Sequence, residues 1–211
     1  MLQKYDLYRV GEFKVAYKSK DIKNHWKNLL SAANKLLNEL GPKFTETQAG
    51  HIQTDIAAMG SLAGLMILQE SVQDLRSVIT VGKPGDAILS DVYEGQRDVY
   101  RFLTGMYVGN GILTKSDAAI QDCDKPLFTC EMMTKKLCSP FYEICFSEQI
   151  ERTQFKFIAA LVGFKLVIAG QKMNELNVRI GKGLLDFYII AGSKTIPYVD
   201  SLWLDSSPKA E

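Results

Sequence analysis

Apolar residues recur along most of this chain at steps of three and four, the spacing that lines one face of an α-helix. The stripe is plainest in Ile22, Trp26, Leu29, Leu30, Ala33, Leu36, Leu37 and Leu40. Lys23, Asn24, Lys27, Asn28, Lys35 and Asn38 keep the opposite face polar. Asp21 or Ser19 can cap this first helix, and Gly41-Pro42 ends it. A second helix follows Thr45 and Gln48, which have the spacing of a capping box. Its apolar set runs through Ile52, Ile56, Met59, Leu62 and Met66 as far as Ile79, and Gly82 and Pro84 close it.

Further helices are predicted after Gly85-Asp86, with Ile88, Val92, Val99, Phe102, Leu103 and Met106 inward, and after Pro126, with Cys130, Met133 and Leu137 inward. Ser139-Pro140 reads as another start, Ser capping and Pro in the first helical position. Residues 141–176 then form one long helix or two consecutive ones, and residues 184–191 a last one.

Two stretches, 52–69 and 155–170, are apolar or small nearly all round. A helix of that kind sits at the centre of a bundle. Gly60 and Gly64 would let another backbone close in; that spacing marks dimer faces in membranes, and here it is read as tight core packing. Period-two alternation occurs only weakly, around Phe13, Val15 and Tyr17, so a short β-hairpin arm is drawn at 1–18. Residues 205–211 are expected to fray. The predicted fold is all-α: a single-domain bundle of six or seven helices over 1–211, built around two very apolar central helices.

Composition agrees with a self-sufficient core. The chain has 211 residues, 46% of them hydrophobic and 23% charged, enough to fold without a metal or a disulfide. Its 25 basic and 24 acidic residues leave a net charge of +1. No nucleic-acid partner is expected, because phosphate neutralisation calls for a basic excess. No run reaches the roughly 18 apolar residues that suggest a membrane span. Lys165 also interrupts the second apolar stretch, so a core helix is the expectation there. The N-terminus shows no apolar signal-peptide core, which gives a cytoplasmic expectation.

Candidate chemistry is sparse. Cys123, Cys130, Cys138 and Cys145 cluster at spacings of seven, eight and seven, without the short spacers of a zinc site or a redox pair. They read as reduced, buried thiols. The alternative is two disulfides, in which case the protein is periplasmic or secreted. His25 and His51 are the only histidines, and neither sits in the Glu-x-x-His pattern of a bundle di-metal site. No phosphate loop or nucleophile elbow is present. Neither a cofactor nor a metal is expected.

Asp91, Glu94 and Asp98 share a helix face and could serve as an acid/base set if buried, although Arg97 and Arg101 beside them suggest surface ion pairs. Near the C-terminus, Tyr198, Leu202 and Trp203 are candidate contact residues, since Tyr and Trp anchor interfaces; the competing expectation is that they cover the bundle. The leading expectation is a non-catalytic interaction module (an adaptor, accessory subunit or inhibitor) that meets another protein through a helical surface. Two alternatives stand beside it: a helical protein that handles apolar ligands or inserts into membranes, and an enzyme without a recognisable motif that uses Asp91, Glu94 and Asp98.

Overall fold

The computed structural model describes residues 27–38, 51–72, 75, 79, 81–88, 91–113 and 125–202. The hairpin arm at 1–18, Thr45 and Gln48, Cys123, Trp203 and the tail at 205–211 lie outside them. Six α-helices carry the described residues, with no strand among these. They are α1 (residues 27–38), α2 (Ile52–Ser71), α3 (Tyr93–Gly109), α4 (Cys130–Ser147), α5 (Phe155–Lys172) and α6 (Val178–Ser193). Leu75, Ile79 and Val81 are helical as well. This is the all-α architecture that the periodicity predicts.

The two all-round apolar stretches are the centre. In α2 every residue from Thr54 to Leu68 is buried, and in α5 every residue from Ile158 to Gly170. Buried residues of the other helices join them in one contiguous apolar core. The closest approach is α2 against α6. A Cβ on Gly60 would stand 2.8 Å from Tyr188 Cβ and 2.9 Å from the Leu185 carbonyl. On Gly64 it would collide with the Ile189 carbonyl, and on Gly192 with that of Ser61. The glycine spacing is therefore a core crossing, where two backbones meet with no side chain between them.

Several boundaries differ from the sequence expectation. Ser139-Pro140 does not start a helix; α4 runs through it from Cys130 to Ser147. Proline removes one backbone hydrogen bond and crowds the preceding turn. Here Leu137, Cys138, Phe141 and Tyr142 are all buried across the lesion, so packing holds both halves. The helix ends instead at residues 148–151, where Gln149 takes a positive φ of 55° and Ile150 N–H donates to the Cys145 carbonyl at 2.9 Å. The third predicted helix starts late, at Tyr93. Residues 86–88 pair with the chain after α6: Ile196 N–H donates to Asp86 O at 2.8 Å, and Ile88 N–H to Lys194 O at 2.7 Å. That chain continues as a strap. Tyr142 Oη donates to the Ser201 carbonyl at 3.1 Å, and the Gln69 amide donates to Tyr142 Oη at 2.8 Å.

Candidate functional site

α3 carries Tyr93, Tyr100 and Tyr107 at steps of seven. Seven residues fall about 20° short of two full helical turns, so the three rings drift around the axis. Tyr93 is 66% exposed, Tyr100 is half-buried and Tyr107 is buried. Beside the two outer rings lies a groove of about 430 Å³, whose described lining is Tyr93, Gln96, Arg97, Tyr100, Arg101 and Thr104.

Two of these residues are pinned to α6. Gln96 Nε2 donates to Ser193 Oγ at 2.6 Å, and Tyr100 Oη donates to the Asp186 carbonyl at 2.9 Å. Burial, and then the Asp186 charge, holds the Tyr100 phenol protonated well above the usual range. The same two causes act on Tyr107. Its ring meets Phe164 edge-on at 5.0 Å, Lys182 Nζ lies 5.6 Å from its centroid, and its hydroxyl has no acceptor among the described residues. The outer residues stay open. Arg97 lies 6.0 Å from the Tyr93 ring centre, and Arg101 and Thr104 are exposed.

The three carboxylates flank this groove without lining it. Asp91 is exposed, and its Oδ1 accepts from Tyr93 N–H at 3.2 Å, which fixes the helix start. The Glu94 side chain is 84% exposed. Arg97 stands 3.8 Å from Glu94 and 3.6 Å from Asp98, both beyond ordinary hydrogen-bond length. The Arg97 Nε–H has no acceptor among the described residues. Acid/base carboxylates are tuned by burial or by a like charge held in a closed site. A solvated ridge next to an arginine supplies neither.

Three of the four cysteines fall on one helix. Cys130, Cys138 and Cys145 are free thiols, all in α4. Positions seven or eight apart on a helix lie about 10–12 Å apart, whereas a disulfide needs Cα atoms within about 7 Å. Two disulfides among four cysteines would have to join two of these three. The two-disulfide alternative is thus incompatible with α4, and Cys123 lies outside the described residues. Burial pushes the Cys130 thiol up to about 11. Burial raises Cys138 and Cys145 as well.

His51 Nδ1 lies 2.8 Å from Thr54 Oγ1, and Asp55 is buried. Among the described residues no three His, Cys, Asp or Glu side chains are grouped as a metal site. Tyr198 is half-buried with Lys135 Nζ 4.4 Å from its ring centre, and Leu202 packs on the core. Both belong to the strap. Periodicity drew attention to the carboxylates of α3 and passed over its tyrosines; their heptad spacing was the signal that could have found the groove. Comparison with protein-family models, with curated proteins and with solved structures finds no match to this chain.

Proposed function

We propose that the protein is a non-catalytic interaction module that holds a partner protein on the tyrosine and arginine face of α3. The observation that carries this reading is the groove itself, with Tyr93 standing 66% exposed at its edge beside Arg97 and Arg101. Tyrosine and arginine dominate the residues whose loss costs most at protein interfaces. Gln96 and Tyr100 are already fixed to α6, so part of the surface is ordered before any partner arrives, which lowers the entropy cost of binding.

The test is photo-crosslinking. Tyr93 is replaced by p-benzoylphenylalanine, and the full-length protein is irradiated in an extract of its own cells. Lys172, exposed at the end of α5, takes the same probe as a control. The expected result is a discrete heavier adduct from position 93 that excess unlabelled protein competes away, with none from position 172. Adducts of equal yield from both positions, or none at 93, overturn the reading.

One observation favours a second reading, insertion into a bilayer: Arg152–Lys172 is long and apolar enough to cross a membrane, although 83% of that window is buried inside the fold. Lys165 stands near its centre, and a charge there is costly in lipid. Flotation with anionic phosphatidylglycerol vesicles separates the two readings. Insertion requires the protein to rise with the vesicles and to resist a high-salt wash.

A further inference from the structure

We infer that the segment seated in the α3 groove is acidic: an extended stretch of a partner protein that presents carboxylates to Arg97 and Arg101. The inference rests on the interaction reading above and adds the chemistry of the partner.

At 100° per residue the described lining residues occupy one arc of α3, with Gln96, Tyr100, Tyr93 and Thr104 followed by Arg97 and Arg101 at its edge. Glu94 and Asp98 come next around the axis, and Asp91 stands just before the helix. The surface is therefore ordered as an aromatic strip, an arginine strip and an acidic ridge. The described groove lining contains two guanidinium groups and no carboxylate.

The ridge does not use up those arginines. Its two contacts to Arg97 are long, at 3.8 and 3.6 Å, and its acids are half-buried or exposed. The Arg97 side chain is 37% exposed, and Arg101 is exposed. Guanidinium forks bind carboxylates through paired hydrogen bonds much shorter than these. An incoming carboxylate thus offers Arg97 what Glu94 and Asp98 do not. The ridge in turn repels an acidic segment that lies one strip too far round, which fixes the register of the partner on the tyrosines. Tyr93 and Tyr100 supply flat apolar area for the stem of the same segment.

The crosslink at Tyr93 provides the readout, with the captured peptide sequenced by mass spectrometry. The expected peptide carries a net negative charge of at least about two within the ten or so residues around the adduct. Arg97→Glu with Arg101→Glu should lower the adduct yield at least about ten-fold, as charge reversal at an interface does. Glu94→Gln with Asp98→Asn removes the ridge's repulsion of an acidic segment and should raise the yield several-fold. Lys172→Glu, away from the groove, should leave it unchanged.

A neutral or basic captured peptide overturns the acidic inference while the interaction reading stands. So does a yield indifferent to both double variants. A captured segment of this chain, whether its own or from a second copy, also overturns it. Absence of any adduct removes the underlying reading itself. Circular dichroism of each variant separates loss of binding from loss of fold.

Discussion

Lys165 is a charge held in the core. It is 3% exposed at the middle of α5, and its Nζ donates to a neutral acceptor, Asn34 Oδ1, at 2.6 Å. Lys156, also buried, has the Glu70 carboxylate at 2.6 Å instead. Burial lowers the pKa of Lys165 from 10.5 to about 8. The unfolded chain therefore holds this proton more tightly than the fold does. Below pH 8 the fold carries the whole penalty, on the order of 3 kcal/mol; it lessens as pH rises from about 8 and is gone above 10.5. Lys165→Met is accordingly expected to stabilise the protein by about 1–3 kcal/mol at pH 7, and its advantage should shrink towards pH 10.5. Paired urea titrations at pH 7 and pH 10 measure this. A Met variant that is less stable, or an advantage independent of pH, would show that Lys165 is better compensated than the neutral Asn34 acceptor suggests. The thiols are the second test at this scale. A Cys130 pKa near 11 leaves about one-hundredth of the thiolate that an ordinary cysteine offers at neutral pH. In a Cys123→Ser background, a thiol reagent should modify the native protein at least about a hundred-fold more slowly than the urea-unfolded chain. Three fast equivalents from the native state would contradict the burial of α4.

At the scale of elements, the glycines divide sharply by what surrounds them. Gly64 and Gly192 face backbone on the partner helix, which cannot rotate out of the way. Gly64→Ala or Gly192→Ala forces α2 and α6 apart, and each should cost more than about 3 kcal/mol, at the top of the range for overpacking. Gly105, inside α3, has no atom of the described residues within 4 Å of where a Cβ would stand. Gly105→Ala should therefore stabilise by about 0.5–1 kcal/mol, through helix propensity alone. Thermal melts of the three variants test both signs at once; a mild Gly64→Ala would mean that the crossing is looser than the structure has it. The same contrast marks how far the sequence could be read. Apolar period and small-residue spacing are local signals, and they located α2, α5 and the crossing. The extent of α4 was not local: Pro140 argues for a break, and only the burial of Leu137, Cys138, Phe141 and Tyr142 against other elements overrides it. The groove was legible in part. Heptad tyrosines stand in the sequence, but their drift from exposed to buried depends on where α5 and α6 lie against α3, and Gln96 gains its meaning only through Ser193. At the level of sequence the acids fit a catalytic set as well as a solvated one, because nothing in a sequence distinguishes a solvated ridge from a buried set.

At the scale of the molecule, one apolar core joins buried residues of all six helices. The strap adds long-range ties: residues 85–88 pair with 194–196, and Tyr142 and Gln69 converge on the Ser201 carbonyl. No described element has a core of its own to fall back on. The chain should then unfold as one cooperative unit, as continuous cores of this kind do. Tryptophan makes the test stringent. Trp26 and Trp203 are the only two, one close to each end of the chain and both outside the described residues. Far-UV circular dichroism instead reports mainly on the helices between them. Coincident urea midpoints by the two signals are expected. Tyr142→Phe keeps the ring and deletes the hydroxyl that donates to Ser201, two residues before Trp203. It should lower the midpoint by an amount equivalent to about 1–2 kcal/mol, and by the same amount in both signals. A fluorescence transition that moves while the circular dichroism transition stays put would mean that the strap and the chain end open as a separate, weaker unit. The interaction face on α3 would then belong to a core that holds without them.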